Sequence, residues 1–224
     1  MQPLTPIRFE LRRGALTAIP LAIAVGLFGV SFGVLSATTG GMGALPAIVM
    51  SATTFAGSAQ FAAASVVAGN GQPIAAIATA LLLNARYLPI GVSVAPFLRG
   101  GRLSRFGQSQ LVVDESWAIA GSGEGRFDAH RLIGAGAVLW LSWVFGTVVG
   151  VVGGEGLGDP PALGLDAAFP ALFLALLLPQ LTGGRAVAAA LLGAGIALAL
   201  VPFTPAGVPI IAAASAAVIG LRRR

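Results

Sequence analysis

Long apolar runs separated by short polar gaps fill most of the sequence. Several of these runs approach the length of about 20 residues at which an α-helix spans a bilayer. We place candidate membrane segments at Leu16–Thr38, Ala44–Ala68, Pro73–Phe97, Leu132–Val152, Leu165–Leu181, Ala186–Val201 and Val208–Leu221. The pattern predicts an all-α fold, a polytopic transmembrane helical bundle of six to seven spanning segments that forms one domain over residues 1–224.

Composition supports insertion into a lipid bilayer and excludes several chemistries. Mean hydropathy is +0.91. Only 9% of the residues are charged, against roughly 25% in soluble domains. Cysteine is absent and His130 is the single histidine, so disulfides and thiolate or multi-histidine metal sites are excluded. No nucleotide loop or serine–histidine constellation stands out, so we expect no cofactor, no catalytic residue and no enzymatic activity.

The basic residues predict the orientation of the bundle. All 13 are arginines that lie mainly between apolar runs, where the positive-inside rule expects them, so nucleic acid is not an expected partner despite a net charge of +5. If all seven segments cross, a cytoplasmic loop at 98–131 places Arg8, Arg12 and Arg13 outside. One segment that enters and leaves on the same side would place all the loop arginines inside.

Ala44–Ala68 is the best candidate for such a re-entrant segment. Broken backbone at membrane depth is tolerated only where it lines a cavity, and polar or small residues interrupt this run. They are Ser51, Thr53, Thr54, Gly57, Ser58 and Gln60. Crossing and re-entry remain equally open from the sequence.

The strongest chemical signal is the pair Asn84 and Arg86, in the middle of Pro73–Phe97. An arginine at the bilayer centre costs at least about 2.5 to 3.5 kcal/mol, so it marks a functional site by default. Pro89 displaces the carbonyl of Ala85, which predicts a helix bend at this pair that could bring both side chains into one cavity. The planar guanidinium suits a substrate carboxylate. The alternative is a structural ion pair with an acidic residue of another segment.

A second signal is the polar stripe within Ala44–Ala68. Gly57 and Gln60 are three positions apart and Thr54 and Ser58 are four apart, so parts of the stripe share helical faces. Hydroxyls and an amide can bind a polar solute in a dry cavity, whereas ordinary close packing is the alternative for any single small residue. The predicted substrate-binding residues are Ser51, Thr54, Gly57, Ser58, Gln60, Asn84 and Arg86.

Three carboxylates are candidates for proton coupling. Asp114 and Glu115 begin a short apolar stretch, Leu111–Ala120, which is too short to span and predicts an interfacial or cavity-lining helix. Asp166 begins another segment, where an acidic residue also favours helix initiation. A solvated helix end, or a counter-charge for Arg86, is the alternative role for these acids. Glycines four apart, at 29 and 33 and at 146 and 150, match a helix-packing pattern, but 32 glycines make such matches weak.

The combination of these motifs resembles the AzlC family, the large subunits of branched-chain amino acid exporters. The similarity runs through most of the chain. It rests on the segments at 31–33, 51–61, 84–86, 114–116 and 163–170. One departure is Tyr87, where we expect the family commonly to show histidine, which puts a proton-carrying role for that position in doubt.

The resemblance implies secondary export of leucine, isoleucine or valine, with methionine as a further candidate, across the bacterial inner membrane. It also implies a small AzlD-type membrane subunit as partner. From the residues themselves, we expect Arg86 to bind the substrate carboxylate and proton-coupled alternating access to drive transport. The alternatives are a transporter or channel for another small amphipathic or ionic solute, a membrane enzyme and a structural subunit.

Overall fold

The computed structural model describes residues 7–38, 42–85, 87–122, 126–154, 183–204 and 208–217, with isolated positions at 174, 177, 178 and 181. The regular elements in these ranges are all helical. They are α1 (Ile7–Thr38), α2 (Ala44–Thr54), α3 (Gly57–Ala68), α4 (Pro73–Asn84), α5 (Tyr87–Val94), α6 (Arg102–Ser109), α7 (Asp114–Ala120), α8 (Ala129–Gly154), α9 (Gly184–Leu200) and α10 (Val208–Ala213), and a 3-10 turn follows over Ala214–Ala217.

The two longest helices, α1 and α8, pack along their whole length and run parallel. Their contacts advance together, because Gly134 meets the carbonyl of Leu11, Gly146 meets that of Gly26 and Gly150 meets that of Val30. A Cβ atom at any of these glycines would overlap the opposing backbone. Small residues allow this approach in a membrane, where dispersion and carbonyl contacts replace the hydrophobic effect between helices.

An ion pair joins the beginnings of these two helices. The Arg131 guanidinium donates to Glu10 Oε2 through Nε at 2.9 Å and a terminal nitrogen at 2.7 Å. Glu10 is buried, with 4% of its surface exposed, and Asp128 accepts from the Arg131 backbone N–H at 2.9 Å. We call this end, residues 7–14 and 126–134, the arginine end, because Arg8, Arg12, Arg13, Arg126 and Arg131 lie there.

The segment Ala44–Ala68 is a helical hairpin. It breaks at Phe55, whose φ of 41° is left-handed and unfavourable for a bulky residue, so α2 and α3 are separate helices. The chain turns back at this break, because Ser51 and Gln60 are hydrogen bonded at 3.0 Å and Met50 packs against the cluster of Ala63 and Val66. The hairpin therefore has both ends toward the C-terminal end of α1 and its tip halfway along α1 and α8.

Helices α4 and α5 lead from the hairpin to the arginine end. Ala76 of α4 packs beside Val66 of α3, whereas Val94 of α5 packs with Leu132 near the start of α8. The two helices meet at an angle of 47°. The bend predicted from Pro89 is therefore confirmed. Proline has no N–H, so position 89 cannot donate the regular helical hydrogen bond to the carbonyl of Ala85.

Two short helices return the chain to α8. Helix α6 exposes Leu103 and Phe106 beside its arginines, as an amphipathic helix at a membrane surface does. Helix α7 then begins beside the middle of α8, where Val113 packs in one cluster with Leu139, and ends beside its start, where Ala120 contacts Leu132. Its amino-terminal end is therefore directed at the interior of the bundle.

Several predicted segments differ from the observed helices. The first helix begins at Ile7 rather than Leu16, so its arginines are helical. The last predicted segment is helical from Val208 to Ala213 and continues as a 3-10 turn to Ala217, and its positions 218–221 lie outside the described residues. Leu165–Leu181 lies outside the described residues apart from its isolated positions. Two described helices, or three if α4 and α5 count as one span, are long and apolar enough to cross a membrane. The predicted count of six to seven spans is not confirmed.

Candidate functional site

A cavity of about 240 Å³ lies halfway along α1 and α8, and we call it the central cavity. Its apolar wall comes from both long helices. The lining residues are Leu21, Ala24, Val25, Phe28, Phe55, Gly57, Ser58, Tyr87, Val113, Asp114, Glu115, Leu139 and Trp143. Pockets for small ligands are commonly apolar with a few polar groups that fix orientation, and this lining has that composition.

Three interruptions of the chain meet at the central cavity. Phe55 lies in the break of the hairpin and Gly57 begins α3 after it. Tyr87 begins α5 after the bend, and Val113 precedes α7. Helix ends carry unpaired backbone groups and the partial charges of the helix dipole. A cavity with helix ends around it is the arrangement that discontinuous helices provide in secondary transporters.

The hairpin tip is fixed by a hydrogen-bond network centred on Ser51. Its Oγ accepts from Gln60 Nε2 at 3.0 Å and from Trp143 Nε1 at 3.1 Å. It also shares a hydrogen bond of 2.9 Å with the Thr147 hydroxyl, which donates to the Trp143 carbonyl at 3.0 Å. Ser51 must therefore donate to Thr147, so its one donor and both acceptor positions are used.

Gln60 completes this network on the other side of the break. Its Oε1 accepts from the backbone N–H of Ala56 at 3.1 Å, which satisfies a backbone group that the break leaves without a helical partner. Ser51, Gln60 and Thr147 are each 0% exposed. In this structure the amide and the hydroxyl therefore hold the tip against α8, behind the cavity wall.

The opposite wall is the amino-terminal end of α7. Asp114 and Glu115 occupy its first turn and both line the central cavity. Ser116 fixes this end, because its Oγ accepts from the Val113 N–H at 2.9 Å and lies 2.7 Å from the Leu111 carbonyl oxygen. Trp117 Nε1 donates to Ser93 Oγ at 2.9 Å, which ties α7 to α5. Two carboxylates at the start of a short, firmly held helix thus line a mainly apolar cavity.

The structure brings together only part of the predicted site. Gly57, Ser58, Asp114 and Glu115 line one cavity, although Asp114 is more than fifty positions from Ser58 in the sequence. Thr54 is exposed and is not part of the lining. Asn84 is not part of it either, although its Oδ1 is buried without a hydrogen-bond partner among the described residues. Arg86 and Asp166 lie outside the described residues.

Sequence reasoning missed the residues that connect the hairpin to the long helices. Trp143 stacks with Phe32 at 5.8 Å and meets Phe61 edge to face at 6.1 Å, so one indole contacts α1, α3 and Ser51 of α2. Thr147 lies one turn further along α8. The sequence signal for Thr147 was a polar residue within an apolar segment, the same signal that pointed to Gln60. The glycine pairs that seemed weak in the sequence prove to form the α1–α8 interface.

Comparison with known proteins identifies the family. The sequence model described as AzlC protein matches residues 20–157, more than half of the chain. The chain belongs to the AzlC family. The match includes every residue that lines the central cavity, whereas α9 and α10 lie beyond it.

Relatives of this AzlC protein come from bacteria and archaea. Inner membrane protein YgaZ of Escherichia coli is 31% identical over 206 residues, which cover 84% of this chain and 82% of YgaZ. An uncharacterized membrane protein of Archaeoglobus fulgidus is 34% identical, with 92% of this chain and 91% of that protein covered.

A third relative has a name that describes transport. Branched-chain amino acid transport protein AzlC of Bacillus subtilis is 28% identical, with 81% of this chain and 72% of that protein covered. No solved structure matches significantly. The chain is therefore an AzlC family membrane protein related to a branched-chain amino acid transport protein.

Proposed function

We propose that this protein is the large subunit of a two-component permease that exports leucine, isoleucine and valine, with methionine as a further substrate, across the bacterial inner membrane. The observation that supports the proposal most is the central cavity, an apolar site lined by Asp114 and Glu115 where three chain interruptions meet. Such a site has surfaces for each part of an aliphatic amino acid.

Each part of the substrate has a matching group around the cavity. Leu21, Phe28 and Leu139 provide an apolar wall for the aliphatic side chain. The ammonium group suits the carboxylates of α7. The substrate carboxylate suits the amino-terminal end of α3, where Gly57 and Ser58 line the cavity. Arg86 lies outside the described residues and stays a candidate for the same carboxylate from the sequence, where it immediately precedes Tyr87.

Asp114 and Glu115 are also the proposed proton-coupling groups, because a carboxylate in an apolar cavity can exchange a proton as access changes. Asp166 stays a candidate from the sequence alone. Ser51 and Gln60, predicted as substrate ligands, act in this proposal by holding the hairpin tip in place, and Gly57 and Ser58 are the hairpin residues that meet the substrate.

The parallel α1–α8 pair supports a proposal for the membrane topology. Helices that run parallel begin on the same side, so the chain must cross back once, or another odd number of times, between them. We propose that α4 and α5 form that one crossing and that the α2–α3 hairpin re-enters from the far side. Every arginine of the arginine end and of α6 then lies in the cytoplasm, as the positive-inside rule requires.

Labelling of single cysteines tests this topology without background, because the chain contains no cysteine. Thr5→Cys and Ser104→Cys should react with an impermeant thiol reagent from the same side of the membrane. Reaction from opposite sides would overturn the re-entrant hairpin, since one further crossing would then separate the two positions.

Export is tested by efflux of leucine, isoleucine and valine from peptide-loaded cells that express this chain with and without its small AzlD-type subunit. Efflux should require both chains. Asp114→Asn and Glu115→Gln should each be compared with Asp128→Asn, the same kind of change at a carboxylate outside the cavity lining, where the asparagine oxygen can still accept from the Arg131 N–H. At least one of the two cavity variants should lose uphill efflux while retaining exchange. No efflux with both chains in the membrane, or full uphill efflux in both cavity variants, would contradict the proposal.

A further inference from the structure

A second cavity lies beside the central cavity and shares one residue with it. This cavity has a volume of about 520 Å³ and is formed by α5, α6, the residues that connect them and Val112, which lies just before α7. Its lining residues are Tyr87, Gly91, Val94, Ala95, Leu98, Arg102, Arg105, Phe106, Ser109 and Val112. We call it the vestibule. Tyr87 is the residue that also lines the central cavity.

The vestibule lies toward the arginine end of the bundle. Val94, one of its lining residues, packs in a cluster with Leu132 near the start of α8. The central cavity lies deeper, beside Leu139 and Trp143. The two cavities therefore follow one another from the arginine end to the middle of the bundle, with Tyr87 at their junction.

Two guanidinium groups give the vestibule a positive wall. Arg105 donates to the Ala95 carbonyl at 2.9 Å, which holds its side chain across the cavity between α6 and α5. Arg102 lies one turn earlier on the same helix and also lines the space. A cleft with one sign of charge raises the local concentration of oppositely charged solutes, so carboxylates are the solutes that the vestibule favours.

Tyr87 is placed where a small change of backbone moves it. It is the first residue of α5, directly after the 47° bend, and it packs half-buried against the core cluster that includes Phe55 and Trp143. Chain breaks and helix ends absorb the dihedral changes of conformational switching. A rotation of α5 relative to α4 would therefore carry the phenol into or out of the junction.

We propose that Tyr87 is a gate between the arginine-lined vestibule and the central cavity, and that the vestibule receives solutes through their carboxylate group. This inference rests on the proposed function for the identity of the solute. The gate itself is a property of access and can be measured without any transport.

The gate is tested by the labelling rate of Ser58→Cys, a cysteine in the wall of the central cavity, in vesicles of both orientations that contain the chain with its small subunit. The probe is a small, impermeant, anionic methanethiosulfonate. Ser109→Cys reports the vestibule and identifies the side to which it opens, and Thr147→Cys reports the buried core. A gate that is open for about 10% of the time predicts that Tyr87→Ala raises the Ser58→Cys labelling rate from that side about tenfold.

The controls separate opening of the gate from unfolding. Labelling of Ser109→Cys should stay the same, Thr147→Cys should stay protected, and Tyr87→Trp should slow labelling of Ser58→Cys. Equal Ser58→Cys rates in the tyrosine, alanine and tryptophan forms would overturn the gate. Labelling of Thr147→Cys in the Tyr87→Ala variant would show that this variant unfolds. The Tyr87→Trp variant is then the test, because an unchanged labelling rate of Ser58→Cys in it would refute the gate.

The positive wall is tested in the Tyr87→Ala form by comparing anionic and cationic reagents at Ser58→Cys. Arg102→Gln should lower the anionic-to-cationic rate ratio by about tenfold at low salt, whereas Arg99→Gln, which changes an arginine outside the lining, should lower it much less. Equal effects of the two substitutions would overturn the carboxylate preference.

The gate and the proposed substrate can fail separately. Faster labelling in Tyr87→Ala, together with no branched-chain amino acid efflux, would support the gate and refute the proposed substrate. Normal efflux together with unchanged labelling in Tyr87→Ala would support the substrate and refute the gate.

Discussion

The α1–α8 interface and the rim of the central cavity are built on opposite principles. At the interface two uninterrupted helices approach until glycines meet opposing carbonyls. At the rim three chain interruptions meet. Gln60 and Ser116 each accept from a backbone N–H at one of the breaks, and Ser51 joins the hairpin tip to Trp143 of α8. The first arrangement leaves little room for movement, whereas the second consists of short elements held at a few points.

This difference assigns distinct roles to the two regions. Close-packed helices resist deformation, so the α1–α8 pair is suited to act as a fixed frame. Elements fixed by a few polar contacts can exchange one arrangement for another at modest cost. Substitutions that add volume should therefore be most harmful in the frame, and substitutions that remove a hydrogen bond should act mainly on the rim.

The largest effect is expected from Gly146→Ala in the frame. The added methyl group would overlap the carbonyl of Gly26, and neither backbone can withdraw without separating the helices. We expect a loss of about 3 kcal/mol in the free energy of unfolding, measured in bicelles, at the upper end of typical overpacking costs. Gly153→Ala, on the same helix with no atom within 4 Å of its Cβ position, is the control and should be neutral or stabilising. Equal stability of the two variants would show that the helices do not touch at Gly146.

A smaller effect is expected at the arginine end from Glu10→Gln. The substitution leaves the Arg131 guanidinium, 17% exposed, without its counter-charge. Removing one partner of a fully buried pair costs 3–5 kcal/mol, and the partial exposure here lowers the expected loss to about 2 kcal/mol. Arg13→Gln is the control, because that side chain is 56% exposed and 3.9 Å from Glu10, and it should cost less than about 1 kcal/mol. A loss at Arg13 as large as that at Glu10 would contradict this account of the pair.

The smallest of the three effects on stability is expected from Ser51→Ala at the hairpin tip. The Gln60 amide and the Trp143 indole would each lose an acceptor, but hydrogen bonds inside membrane proteins average only about 0.6 kcal/mol, so the sum should be about 1 to 2 kcal/mol. Transport should fall more than stability, because the tip would lose its position. Thr53→Ala, which removes an exposed hydroxyl bonded to Val49 of its own helix, should change neither. Transport at the normal rate in Ser51→Ala would show that the hydrogen-bond network centred on Ser51 has no part in transport.

Much of the local structure could be predicted from the sequence. The boundaries of the broken segment were predicted as Ala44–Ala68, and the structure has α2 and α3 over the same residues. The bend after Asn84 followed from Pro89. These features depend on neighbouring residues, since polar interruptions and proline act on the backbone within one turn.

The roles of individual side chains were harder to predict. Ser51 and Gln60 were expected to bind substrate, but the structure turns them toward Trp143 and Thr147 of α8, more than eighty positions away. The sequence could not decide whether Asp114 and Glu115 lie at a solvated helix end or in the wall of a cavity. The direction of α7 relative to α8 places them in the cavity wall. Such contacts depend on how distant helices pair.

The sequence by itself determined the membrane class, the family and the bend caused by Pro89, because hydropathy, motif order and proline act locally. Only the tertiary structure decided that α1 and α8 run parallel, that the hairpin turns back at Phe55 and that three chain breaks line one cavity. The physical reason is that glycine permits a close approach without specifying its partner. The partner is selected by the fit of whole helix surfaces, which no local pattern records.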